Sequence, residues 1–348
     1  MLRFSYSLAR LILLISTVVI ASCSQGPSVQ KISGPTMGTE YHISWISQQS
    51  SQQALIIEKT NIKQIIDSQL AAINESMSTY DSESELSLLN QNSSREWQVI
   101  SADLYRVLMM SKRVNVQSIG AFDVTVGPLV NLWGFGPEAS LDQVPEAESI
   151  KQLLAEVGSE AISLRQRDES FEIKLLAERY IDLSAIAKGY AVDVLGRSLQ
   201  QYGINNYLIE VGGEIIANGQ KLADKPWRIA IETPNDNGRS AQIVMPLLNL
   251  GIATSGDYRN YFEQDGIRFS HTIDGRTGYP VKHNLASVSV LHDSVAMADA
   301  WATALTVVGA EAGLELAEKH ELAAYFIVRT AEGFEQYRSR QFEQLTLD

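Results

Sequence analysis

The sequence predicts an α+β fold: a single domain of mixed, largely antiparallel sheets with flanking helices, with room for two lobes. Two observations carry that prediction. Short segments of alternating polarity recur along the chain, and segments of helical period fall among them without strict strand–helix alternation. No Pro-, Gly- or Ser-rich linker divides the body of the chain, which points to one domain.

The elements follow in order. Gly38 to Ile46 alternates Thr39, Tyr41, Ile43 and Trp45 with polar residues and reads as a strand. From Leu55 to Met77, Ile62, Ile65, Ile66, Leu70, Ile73 and Met77 keep helical spacing. Ser101 is a fitting N-cap for a helix running toward Gly120, and Pro145 to Val157 reads as a third helix stopped by Gly158. Phe171 to Leu176 and Tyr180 to Leu183 read as strands, and Ala185 to Tyr202 as a helix ended by Gly203. Tyr207 to Val211, Trp227 to Glu232, Ile243 to Leu250, Ile267 to Ile273 and Ala286 to Leu291 read as further strands. Ser294 to Val308 is helical, and Ala323 to Arg329 with Phe334 to Arg340 form a hairpin.

The N-terminus carries Arg3 and Arg10 and no acid ahead of the apolar run Leu11 to Ala21, too short to span a bilayer. Residues 1–22 therefore read as a secretory signal. Ile20-Ala21-Ser22-Cys23 matches a lipobox, in which Cys23 becomes the acylated N-terminus. Cys23 is the only cysteine, so it has no disulfide partner, and lipidation accounts for it. Residues 23–35 read as a lipidated tether and residues 36–348 as the folded domain. Removal of the signal takes two arginines and no acid, moving the net charge from −13 to −15. That balance argues against nucleic acid as a partner. It leaves room for an anionic small ligand if a metal ion supplies local positive charge.

Five segments bring chemistry-bearing residues together. Asp299 and Thr303, four apart on an alanine-rich helix, offer hard oxygens on one face, suited to Mg²⁺. The same pair also reads as a dipole-favoured Asp and a Thr bonding back to a carbonyl. Asp182 to Asp193 runs from a strand into a helix, where free N–H groups make an anion site and Lys188 can meet a phosphate. A capped helix with a solvated lysine explains it equally. Gly120 to Pro128 and Glu210 to Glu214 set turns beside acids; each alone says little. His271 and Asp274 fall on opposite faces of a continuous strand, which disfavours a His–Asp dyad. The glycine spacing of a P-loop, a zinc-type His/Cys cluster and a Gly-x-Ser-x-Gly elbow are all absent.

Taken together, the ordered segments resemble the ApbE family of FAD:protein FMN transferases over roughly residues 36–309. The matching segments are Thr36-Met37-Gly38-Thr39, Met77-Ser78-Thr79-Tyr80, Ser84 to Asn90, Gly120 to Gly136, Asp182 to Asp193, Val211 to Glu214, Ala253 to Tyr258, the His271 segment and Ala298 to Leu305. One departure is Gly275, where the family pattern carries proline after the aspartate. The resemblance implies that Met37, Tyr80, Ala121, Phe122, Asp123, Asp182, Lys188 and Ile273 line an FAD site. It also implies that Asp299, Thr303 and the carbonyl of Ala185 hold Mg²⁺. The implied reaction passes FMN from FAD to a Thr or Ser hydroxyl of a target protein and releases AMP. FAD hydrolysis to FMN and AMP, and a non-enzymatic flavin-binding lipoprotein, are the alternatives. Of five histidines, only His271 lies among family-matching residues, and it is expected to be the general base, with Asp257 as a rival. Implied acceptors are periplasmic segments of membrane redox subunits of the Nqr and Rnf types. The expected location is the periplasmic side of the cell membrane, on a lipid anchor. Expected partners favour the inner membrane; Ser24 leans toward the outer.

Overall fold

A computed structural model describes residues 26–136, 143–234, 241–256 and 261–346. Along the chain come β1 (Ser28–Thr36), β2 (Thr39–Ser47), α1 (Gln52–Met77), α2 (Glu85–Gln91), β3 (Gln98–Ile100), α3 (Ala102–Gln117), α4 (Gly127–Leu132) and α5 (Ala147–Leu154). Next are β4 (Ile162–Arg167), β5 (Ser170–Leu175), α6 (Ala187–Gln201), β6 (Tyr207–Val211), β7 (Glu214–Asn218), β8 (Trp227–Glu232), β9 (Ala241–Leu247) and β10 (Leu250–Gly256). The last stretch holds β11 (Tyr261–Gln264), β12 (Ile267–Ser270), β13 (Ile273–Asp274), β14 (Tyr279–Pro280), β15 (Leu285–His292), α7 (Val295–Val308), α8 (Ala310–Lys319), β16 (Ala323–Thr330), β17 (Gly333–Arg338) and α9 (Arg340–Thr346).

The frame is one sheet in the order β1-β2-β6-β7-β10-β15-β16-β17, antiparallel at every pairing. Its period of two explains why β16 reads as a nearly continuous apolar run. Ala324, Phe326 and Val328 enter the core under the helices. Ala323, Tyr325 and Ile327 enter a second core with Trp227, Ile229, Met245 and Phe342 on the other face. A third cluster of Leu129, Trp133, Ile150, Phe262, Phe269 and Ile273 joins α4 and α5 to the short hairpins β11–β12 and β13–β14. The α+β expectation is met, with antiparallel sheets and flanking helices.

Several local expectations need correction. Ser28 to Pro35, read as part of the tether, belongs to β1, which pairs with β2 along its full length. Its polar composition is that of an edge strand in which only Ile32 is buried. Tyr180 to Leu183 forms no strand; Asp182 N–H donates to the Val124 carbonyl at 2.7 Å, and the Asn90 side chain bonds both the N–H and the carbonyl of Ile181, at 2.8 and 2.9 Å. The expected strand Ile243–Leu250 ends at Leu247, because Asn249 takes φ +52° and turns the chain into β10. The expected strand Ile267–Ile273 breaks at His271 and Thr272, which splits it between two hairpins.

Candidate active site

Helix α7 is capped by Ser294, whose hydroxyl accepts from Met297 N. Its alanines 296, 298, 300, 302 and 304 are all buried, so the helix lies close against β10, β15 and α6. Gly189 permits the closest approach: a Cβ there would sit 2.4 Å from the Val295 carbonyl oxygen. The glycine beside Lys188 therefore serves helix packing, and that packing sets Lys188 next to Asp299.

Asp299 is 4% exposed. Its Oδ2 accepts from Gly189 N–H at 3.2 Å and lies 3.8 Å from the Lys188 ammonium. One N–H in the first turn of α6 is thus met by the protein's own carboxylate. Glu214, on β7, makes the direct ion pair with Lys188. Burial opposes the charge on Lys188, but Asp299 and Glu214 outweigh it and raise the lysine above its ordinary range. Burial likewise pushes both carboxylates upward, against the pull of the shared ammonium. Thr303, one turn on from Asp299, does not bond back to a carbonyl; its hydroxyl lies 3.2 Å from that of Ser255 on β10.

These groups face a cavity of about 380 Å³. Tyr80, Ala121, Phe122, Asp123, Asp182, Ala185, Lys188, His271, Ile273, Asp299 and Thr303 all line it. Eleven of the twelve residues expected in the domain's site thus converge from separate parts of the chain. Met37 lines an adjoining cavity of about 1030 Å³. Tyr80, Ser184 and Lys188 form the boundary shared by the two. Met37 and Gly38 form the two-residue turn of the β1–β2 hairpin with φ +47° and +71°, the left-handed pair such a turn requires. A methionine held at positive φ is uncommon, and here it stands at the cavity wall.

The Asp123 carboxylate is taken up inside the protein. It accepts from Thr125 Oγ1 and Ser159 Oγ, both at 2.6 Å, and from Asn115 Nδ2 at 3.0 Å. That network ties the Gly120–Pro128 loop to the chain after α5. Asp182 similarly accepts from the Ser184 N–H and hydroxyl. His271 meets the edge of Phe135 at a centroid distance of 6.3 Å. Asp274 is bound bidentately by its neighbour Arg276, at 2.8 Å to each oxygen, which occupies it away from His271. Gly275 leaves this turn intact, because Thr277 and Gly278 N–H both donate to the Asp274 carbonyl.

Sequence reasoning gave no role to Glu214, Ser255 or Phe135, which also line the cavity. Glu214 and Ser255 stood inside family-matching segments, but nothing local marks a strand residue as facing a distant helix. Cys23 and Asp257 lie outside the described residues.

The donor set fits a small hard cation. A carboxylate and hydroxyls are the oxygen ligands Mg²⁺ takes, with waters and phosphate oxygens completing its shell. Among the described residues no three His, Cys, Asp or Glu side chains form a metal cage, and Mg²⁺ does not need one.

Comparison with known proteins identifies the family. The ApbE family model matches residues 37–326. A Haemophilus influenzae protein named FAD:protein FMN transferase is 44% identical over 330 residues, 94% of each chain. A Vibrio cholerae protein of the same name is 44% identical over 333 residues, 96% of this chain and 97% of its own. The solved flavin transferase ApbE of Vibrio cholerae superposes with a TM-score of 0.81 at 42% identity, covering 91% of this chain and 99% of that one. The apo flavinyl transferase ApbE of Pseudomonas stutzeri gives 0.82 at 35% identity, covering 92% and 98%. Matched along nearly its whole length in both sequence and fold, this chain belongs to the ApbE family.

Proposed function

We propose that this protein transfers the FMN half of FAD, with Mg²⁺, to a Thr or Ser hydroxyl of another protein. The observation that carries the reading is the convergence of Lys188, Asp299, Thr303 and His271 on one cavity with the residues expected around FAD. FAD joins two aromatic heads through a diphosphate, and the two adjoining cavities offer a seat for each head with Lys188 at their boundary. Asp299, Thr303 and the Ala185 carbonyl are the groups that would hold Mg²⁺. When bound, that ion neutralises phosphate oxygens and makes AMP a better leaving group.

The chain's own residues do the rest. Lys188 supports the diphosphate charge as it redistributes. Phe122, Phe135 and Ile273 wall the site with apolar surface, which limits water as a competing nucleophile. His271 takes the acceptor hydroxyl's proton. The oxygen then forms a bond to the FMN-side phosphorus, the diphosphate P–O bond breaks, and AMP leaves with the electron pair.

The test is incubation with FAD and Mg²⁺, with and without an acceptor domain. Fluorescent acceptor supports transfer; AMP and FMN released equally without acceptor means a hydrolase; unchanged bound FAD means a carrier. Replacement of His271 by Ala should leave FAD affinity near normal and slow single-turnover transfer by at least about a hundredfold. Transfer within a few-fold of wild type, or a loss confined to FAD binding, removes the base role.

A further inference from the structure

Glu214 is a buried cavity carboxylate that the chemistry above does not use. It follows the Gly212-Gly213 turn joining β6 to β7, where both glycines take positive φ, +58° and +104°. The turn is shaped around Lys188. A Cβ on Gly212 would lie 3.2 Å from Lys188 Cδ and 2.8 Å from Thr39 Cγ2, so the lysine stem rests where a side chain is missing. Beyond the stem, the ammonium meets Glu214, which is 3% exposed. The second carboxylate oxygen, Oε2, is buried with no hydrogen bond.

One ammonium therefore stands between two buried carboxylates. Asp299, at 3.8 Å, competes for it. A lysine drawn fully onto Asp299 would fill the place of a metal ion and turn away from the phosphates. We infer that the Val211–Glu214 hairpin is a lysine cradle, in which Glu214 is a positioning residue that keeps the Lys188 ammonium off Asp299 and presents it to the diphosphate. The free Oε2 offers a second acceptor, so the ammonium stays bonded while it turns toward an incoming phosphate. The inference rests on the flavin-transfer reading for its substrate, but the contact itself is testable without substrate.

The experiment compares wild type, Glu214→Gln, Lys188→Met and the double variant in thermal melting and in single-turnover transfer at saturating FAD and Mg²⁺. Lys188→Met leaves two buried carboxylates without their cation and should melt lowest. The double variant should melt above it. Glu214→Gln should slow transfer by about tenfold or more, because the ammonium loses its fixed position. The double variant should transfer no more slowly than Lys188→Met alone, since Glu214 acts only through the lysine. A Glu214→Gln rate within about threefold of wild type overturns the inference, as does a double variant slowed by both factors multiplied. If Glu214→Gln does not fold, Glu214→Asp shortens the reach while keeping the charge; a wild-type rate there also overturns it. Absence of transfer by wild type would sink the proposed function instead. The melting comparison would then still decide the cradle: rescue in the double variant supports it, and no rescue refutes it.

Discussion

Asp299 shows how little of a residue's role is visible locally. On α7 it is one acid among alanines, close enough to the helix start to pass for a dipole partner. Its burial, the Gly189 N–H and the nearby Lys188 make it the centre of a charged cluster instead. Asp299→Ala should abolish Mg²⁺-dependent turnover while the fold is retained. Thr303→Val keeps the shape and removes the hydroxyl oxygen, so the Mg²⁺ concentration for half-maximal rate should rise by about tenfold. Titration of activity against Mg²⁺, alongside a melting curve, checks both. Wild-type activity of both variants at limiting Mg²⁺ would remove the metal assignment.

At the scale of elements, the start of α7 depends on Asp193 in α6. Its carboxylate accepts from the Ser294 hydroxyl at 2.6 Å and from Val295 and Ala296 N–H at 2.8 and 3.1 Å. Three donors at the first turn of the site's main helix are thus satisfied by a side chain about a hundred residues earlier. Asp193→Ala strands them in the core and should destabilise the protein by roughly 2–4 kcal/mol. Asp193→Asn, which keeps one acceptor oxygen, should lose less. Chemical denaturation of both variants reads the difference; equal midpoints for Ala and wild type would show that the cap does not matter.

At the scale of the whole molecule, β1 forms one edge of the main sheet, and its last residues line the larger cavity. An anchor at Cys23 would leave only a few residues between the membrane and that edge, a much shorter tether than the 13 residues of positions 23–35. Cys23→Ser should abolish acyl labelling and release the protein from the membrane fraction, with transfer to a soluble acceptor domain unchanged. Persistent labelling in that variant would end the lipoprotein proposal.

The α+β class, most strands and the four longest helices were legible because each is written in a local period or cap: Ile62, Ile66 and Leu70 at helical spacing, or Ser101 and Ser294 ahead of their helices. That eleven of the expected residues line one cavity was foreseen through family resemblance rather than spacing, since no single motif carries it. Tertiary structure alone decided which groups meet. β1 became a strand because β2 offered it a partner, not because of its own composition. Gly189 turned out to be a helix-packing residue, Asp123 an internal tie, and Glu214 the partner of Lys188. Those assignments depend on contacts between residues 26 to more than 100 positions apart. A local pattern records which face a residue turns inward, but the charge or carbonyl waiting on the other side is set only when distant elements pack.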